Sequence, residues 1–501
     1  MNTEIFKRME QAKFIAIMNV FILPILISCQ TEKAKGPYFA TGIKIGEVTQ
    51  SEAIVWVRLT KDSLRIGNDA PIPDIKYKEP ETGEIVEQKG RPNKTPVVIY
   101  PEGYTVNNIE GACPGSPGKV KLKYKLADEQ NWKQLDWQTV DPDNSYATEF
   151  NLSGLSAGKK YNILVESASL TNELVGASIE GKFKTAPGAN SSSNINFVVT
   201  TCTSYNDSDS EEGYKLYPNA LKLDPEFFVH AGDILYYDHF AKTLDLARWQ
   251  WDRMYSFPNN VDFHRQVASY FIKDDHDTWM NDSYPGRETK FMGKFTFEQG
   301  LDLFLEQVPM REKTYRTVRW GKNLQIWMVE GRDYRSANTM EDGPQKTIWG
   351  KEQMDWFTST VETSDATFKI LISPTPIVGP DRVKKKDNHA NSGFAYEGRK
   401  IREFISQQEN MFVICGDRHW QYISKDAETG VMEFGCGPGS NEHAGGWKQE
   451  DKLPEHIYLN VVGGFLEVVV FDAKDKPSLT FRHYDPDGAL RNEYPIEQES
   501  I

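Results

Sequence analysis

Tyr270-Phe271-Ile272-Lys273-Asp274-Asp275-His276-Asp277 is the stretch on which the reading turns. Its first half suits a buried strand. Its second half gathers three carboxylates around an imidazole, and such groups are buried only when paired, hydrogen-bonded or bound to a metal. The same sequence logic recurs elsewhere. Ile195-Asn196-Phe197-Val198-Val199 runs into Thr201-Cys202-Thr203, and Phe227-Phe228-Val229-His230 runs into Gly232-Asp233-Ile234-Leu235-Tyr236. Leu324-Gln325-Ile326-Trp327-Met328-Val329 precedes Glu330, Phe368-Lys369-Ile370-Leu371-Ile372 precedes Ser373, and Met411-Phe412-Val413-Ile414 precedes Gly416-Asp417-Arg418-His419. Strand-like runs that alternate with polar helical segments predict a layered α/β domain. In open α/β sheets, sites form beyond the carboxyl ends of strands. Six polar clusters are therefore expected on one rim.

Carboxylate, imidazole, phenolate and thiolate are the side chains that hold metals. Acidic loops brought to one rim repel each other unless a cation intervenes. A dinuclear site resolves this: one carboxylate bridges two metals, and the pair clamps a phosphate for in-line displacement. Neither a Gly-x-Ser-x-Gly elbow nor a phosphate-binding Gly-x-x-x-x-Gly-Lys-Ser/Thr loop occurs, so no serine nucleophile is implied.

The ordered set of strand-end cysteine, Gly-Asp-x-x-Tyr (232–236), Asp-Asp-His-Asp with a following Asn (274–281) and Gly-Asp-x-His (416–419) resembles the alkaline phosphatase D family. That family lies within the metallophosphoesterase superfamily (calcineurin-like, purple acid phosphatase-like), and the resemblance covers roughly residues 195–485. It implies an N-terminal all-β fibronectin/Ig-like sandwich followed by an α/β four-layer (α-β-β-α) metallophosphoesterase domain. It also implies Cys202, Asp233, Tyr236 and His419 as ligands of a ferric ion, with Asp233 bridging. Asp275, Asp417 and Asn281 would serve a second metal, calcium or another divalent cation. His276 would protonate the leaving alcohol or stabilise the transition state, and Arg332 would bind phosphate. The reaction implied is hydrolysis of a phosphoric ester, mono- or diester, by a metal-activated hydroxide.

The residues themselves leave bland readings open. Asp274 is not assigned to metal. Asp238 and Asp282 read as supporting or solvated groups, His230 as a core histidine, and His443 as part of a Gly-rich loop beside the site. Lys384-Lys385-Lys386 reads as a solvated loop, with a clamp for an anionic polymer as the alternative. The cluster Glu330-Gly331-Arg332-Asp333-Tyr334-Arg335 departs from the family's Asp-Thr-Arg-x-Tyr-Arg, which suggests an altered pocket there.

Upstream, residues 37–187 read as the β-sandwich. Phe150-Asn151-Leu152-Ser153-Gly154-Leu155 followed by Tyr161-Asn162-Ile163-Leu164-Val165 has the form of a strand, a Gly-containing corner and a tyrosine whose hydroxyl ties the corner to the backbone. The Pro-, Gly- and charge-rich stretch from Ile66 to Ala112 reads as a long loop or insertion. Residues 188–194 form a Gly/Ser/Asn linker, and the catalytic domain fills 195–501. Residues 1–28 carry basic residues, then an apolar run too short to span a bilayer, and end Leu26-Ile27-Ser28 before Cys29. This resembles a lipoprotein signal with Cys29 as the lipidated residue and residues 29–36 as a tether, so the protein is expected to be exported and membrane-anchored.

The 501 residues carry a formal net charge of −14, which disfavours nucleic acid as a partner. The partner expected instead is a small or polymeric phosphate ester, with no obligate protein partner. Five cysteines are too few for a disulfide framework. The competing reading is a surface-anchored β-sandwich binding protein with a degenerate metal site.

Overall fold

The computed structural model describes residues 36–472 and 476–496. The stretch expected as a lipoprotein signal, residues 1–28, and Cys29 lie outside the described residues. Residues from Gly36 onward fall in a single compact unit.

Two sheets face each other. In the first, Ile195–Thr200, Phe227–Ala231 and Ala268–Ile272 run parallel. The second has a parallel core of Leu324–Met328, Phe368–Ser373, Met411–Cys415 and Met432–Cys436. Alternate residues along each strand point to opposite faces. Thus Phe197, Val199, Phe227 and Tyr270 share one apolar cluster with Trp320, Ile326, Ile370 and Phe434 of the opposing sheet. Phe227 stacks on Trp320 with ring centroids 4.5 Å apart. The outward residues Val198, Phe228 and Phe271 pack with Trp249, Met254 and Phe304, which lie on helices Leu244–Tyr255 and Phe297–Gln307. Trp327, Leu371 and Val413 pack with Phe357, Val361, Ile401 and Ile405 on helices Gly350–Glu362 and Ala395–Ser406. Strands buried on both faces read as unbroken apolar runs, which is why they were legible.

From the sequence, residues 465–471 and 479–484 read as a hairpin closing the second sheet. It instead pairs antiparallel with Ile195–Thr200 and extends the first. Residue type cannot choose between two equally apolar sheets.

The N-terminal strands reach the same first sheet. Ile43–Gly46 pairs with Ala268–Ile272, and Ala53–Arg58 and Ala147–Leu152 follow outward. A second N-terminal sheet holds Lys119–Leu126, Lys160–Ala168 and Val175–Lys184. Its Val120, Leu122, Ile163 and Val165 share a cluster with Val55, Val57, Phe150 and Leu152. The tyrosine hydroxyl of Tyr161 accepts a hydrogen bond from the backbone of Ser156 at 2.8 Å, closing the corner. The stretch expected as a loop or insertion contains a small sheet of its own, Asp74–Lys78 flanked by Ile85–Val86 and Thr95–Ile99. No helix among the described residues is long and apolar enough to cross a membrane.

Candidate metal centre

The parallel strands end in unusual backbone. Cys202, Asp233 and Asp417 all adopt positive φ, at 52°, 54° and 59°. Left-handed geometry costs a non-glycine residue on the order of 1 kcal/mol or more and persists where surrounding structure enforces it, often at functional sites. Here the loops enforce it on one another. Cys202 N donates to Gly232 O at 3.1 Å and Thr203 N to Asp233 O at 2.8 Å. The glycines preceding the two aspartates permit this approach: a Cβ on Gly416 would lie 2.2 Å from Ala231 O, and one on Gly232 would lie 2.8 Å from the Asp274 Cβ.

These turns gather the ligand types. Donor atoms of Cys202, Asp233 and His419 lie within 4.8 Å of one another, as do those of Asp233, Asp275 and His276, and those of Asp233, Asp274 and Asp417. Asp233 belongs to all three groups, the position expected of a bridging carboxylate. The Tyr236 hydroxyl lies 3.5 Å from both Asp233 Oδ2 and His419 Nε2. Asn281 donates its side-chain amide to Asp282 at 2.7 Å and its backbone N–H to Asp238 at 3.0 Å.

The three aspartates of 274–277 do different work. Asp277 is spent on the backbone, accepting from Asp274 N at 2.6 Å and Ile234 N at 2.9 Å. Asp274, unassigned from the sequence, accepts from Arg332 Nε at 2.6 Å, and its Oδ2 is buried without a hydrogen bond. Asp275 opens the short helix Asp275–Thr278 and accepts from Asp282 N at 2.5 Å.

Arg332 is enclosed beside these aspartates. Only 1% of it is exposed, and its Nε is committed to Asp274, with Nη2 3.7 Å from Asp275. Nε thus braces a carboxylate, and Nη1 reaches Ser283 O at 3.4 Å. Glu330 likewise faces inward: it pairs with Lys273 and accepts from the backbone of Arg332 and Asp333. The departure at this cluster shapes a buried turn, not an exposed pocket wall.

The electrostatics follow from crowding. Burial pushes the Asp233 carboxyl above the usual range; His276 opposes this, and Asp275, Asp274 and Asp277 reinforce it. Burial, with Asp233 and Asp417, raises the Cys202 thiol. Asp417 is pushed up to about 6 by burial against the pull of Arg418. His419 is pushed down to about 2 by burial and neighbouring cations, which keeps its imidazole neutral and free to ligate. A cation among these groups would remove the penalty on every anion at once. Asp233 Oδ1 and Asp274 Oδ2, buried without hydrogen-bond partners, are oxygens such a cation would satisfy. The donor set therefore fits a metal pair.

Two supporting pairs escaped the sequence reading. His443 places Nε2 2.8 Å from the Tyr236 hydroxyl and Nδ1 2.7 Å from Asp207. Asp238 takes Nδ1 of His276 on one carboxylate oxygen. The His276 ring packs against Tyr236, with centroids 4.3 Å apart. Cys113, Cys202, Cys415 and Cys436 are all free and buried.

Residues 197–461, just over half of the chain, match the family described as PhoD-like phosphatase. The chain belongs to this family. The alkaline phosphatase D of Bacillus subtilis (strain 168) is 21% identical over 366 residues, which cover 61% of this chain and 59% of that protein. The alignment thus spans about three fifths of the relative's length. The solved structure of PhoD matches with a TM-score of 0.66 at 16% identity, covering 93% of this chain and 94% of that one. The purple acid phosphatase PPD1 from yellow lupin (Lupinus luteus) seeds matches at 0.57 and 13%, covering 89% and 80%. These likenesses show a PhoD/purple acid phosphatase-like fold. Within the PhoD-like segment fall all seven ligand candidates, Cys202, Asp233, Tyr236, Asp275, Asn281, Asp417 and His419, together with His276 and Arg332.

Proposed function

We propose that the protein is an exported, metal-dependent phosphoric ester hydrolase. The observation that carries this is that three groups of donor atoms, Cys202/Asp233/His419, Asp233/Asp275/His276 and Asp233/Asp274/Asp417, each gather within 4.8 Å and share Asp233. The thiolate–phenolate–imidazole side suits ferric iron, and the oxygen side, with Asp275, Asp417 and Asn281, suits calcium or another hard divalent ion. When bound, such a pair polarises the phosphoryl oxygens and supplies an ionised water near neutral pH.

The chain's own residues do the rest. Asp233 spans both halves of the site. Arg332 holds Asp274 and Asp275 in place, and Arg418, 2.8 Å from Asp417 Oδ2, holds that carboxylate. His276 directs Nδ1 to Asp238, which leaves Nε2 to serve the site. As the oxygen of water bonds to phosphorus and the bond to the leaving oxygen breaks, the proton at Nε2 passes to that oxygen and the water's proton restores the imidazole; a monoester gives alcohol and phosphate, a diester alcohol and a phosphate monoester. A cavity of about 600 Å³ at Asp282 leaves room for a substrate; its wall carries Lys346, Lys384, Lys385 and Lys386 together with Glu341, Asp342 and Asp387.

In this reading, the N-terminal strands of residues 37–187 form a fibronectin-like sandwich, joined by linker 188–194 to a four-layer catalytic domain. Cys29 anchors the protein to the outside of a membrane through lipid. The test is turnover of p-nitrophenyl phosphate and its bis-ester by the full chain with iron and calcium. Hydrolysis lost on chelation supports the reading. No turnover of any phosphate ester under those conditions would leave the surface-anchored binding role as the better account.

A further inference from the structure

Residues between the strands Ala53–Arg58 and Lys119–Leu126 leave the N-terminal sheets and reach the catalytic face. The excursion is well fastened there. Tyr77 stacks on Phe291 with centroids 6.1 Å apart, Asn93 Oδ1 accepts from Lys290 N at 2.8 Å, and Arg65 and Glu110 close on the Tyr205 hydroxyl. Two residues before Asn93, Arg91 donates Nε to Asp238 Oδ1 at 2.6 Å.

Asp238 is thereby held on both oxygens. Oδ1 takes Arg91 and the backbone N–H of Asn281 at 3.0 Å, and Oδ2 takes Nδ1 of His276. Of these three partners, Arg91 alone comes from the N-terminal part of the chain. A carboxylate gripped by an arginine cannot swing, and the imidazole bonded to it keeps its tautomer and ring plane. Tyr236 closes one face of that ring. A rotation of Asp238 would turn Nε2 of His276 away from the leaving oxygen.

We propose that Arg91 is a positioning residue for His276, so that the N-terminal excursion completes the active site instead of only supporting it. The proposal rests on the reading of His276 as the acid that protonates the leaving alcohol. The Arg91 side chain is 43% exposed, so its replacement leaves the core intact.

The test compares two esters of the same phosphate class, one with p-nitrophenol and one with a simple alkyl alcohol as leaving group. An acid matters most for the poorer leaving group. Arg91→Gln is expected to lower kcat on the alkyl ester by about 10–100-fold, and by less than about threefold on the p-nitrophenyl ester, with KM unchanged. Arg91→Lys should recover part of the alkyl rate. Equal loss on both esters, or a change in KM alone, overturns the proposal and makes Arg91 a scaffold or substrate contact. A fall in metal content in the same samples overturns it as well. His276→Asn is the control. If it shows the leaving-group bias and Arg91→Gln does not, the proposal alone fails. If His276→Asn shows no bias, the acid reading fails and carries the proposal with it.

Discussion

The hydroxyl of Tyr236 lies 2.8 Å from Nε2 of His443, a residue 207 positions further along the chain. Nδ1 of the same ring meets Asp207 at 2.7 Å. Asp207 on Nδ1 fixes the ring so that Nε2 faces the Tyr236 oxygen, accepting from the phenol or, once that oxygen is ionised, donating to it. His443 thus orients a candidate ligand without belonging to the ligand set assigned to the metals. Replacing it with alanine should weaken iron binding by about 10–100-fold while the protein stays folded. Iron titration checks this. With iron bound, the visible absorption of the tyrosinate should shift in the same variant.

Asp275 and Asp277 are two residues apart and should fail in different ways. Asp275→Asn removes a carboxylate from the metal groups and should abolish hydrolysis with little change in melting temperature. Asp277→Ala orphans the buried N–H groups of Asp274 and Ile234. That should cost about 1–3 kcal/mol for each donor, read by urea unfolding.

Glu149 provides a pH dependence remote from the metals. It stands opposite Trp56 in the N-terminal strand pair. Burial raises its carboxyl from the ordinary 4.5 to about 7, opposed by a hydrogen bond from the backbone of Met310. The unfolded chain releases this proton near 4.5 and the folded chain near 7, so this residue makes stability fall as pH rises between those values. Glu149→Gln should match the wild type below pH 4.5 and melt at a higher temperature above pH 7. Thermal melts across pH 4–8 would read the difference. A constant offset at every pH would contradict it.

Tyr161→Phe should remove only the corner hydrogen bond to Ser156. The expected loss is about 0.5–1.5 kcal/mol of stability with hydrolysis unchanged, because the corner lies in the N-terminal sheets.

The sequence made the catalytic strands and the ligand-bearing turns legible for a shared reason. Strands buried on both faces appear as unbroken apolar runs, and the candidate ligands stand at their carboxyl ends. The tyrosine corner was readable because a strand, a glycine corner and a tyrosine stand close together in the chain. What remained hidden depends on contacts across long stretches of sequence. Nothing local to His443 points to Tyr236, and nothing around Arg91 points to Asp238. Asp274 and Asp277 look equivalent until the fold gives one an arginine and the other two backbone donors. Arg332 matched a phosphate fork by motif, and nothing in that motif shows that Asp274 takes its Nε. The C-terminal hairpin could not be given its sheet because its apolar strands suit either one.

The most direct test of the metal centre is elemental analysis of the full chain beside its Cys202→Ala variant, with p-nitrophenyl phosphate hydrolysis measured on the same samples. The account predicts iron near one per chain in the wild type, its loss in the variant, and hydrolysis that falls with it. Iron retained at wild-type level in Cys202→Ala, with turnover unchanged, would contradict the assignment of Cys202 and the site built around it.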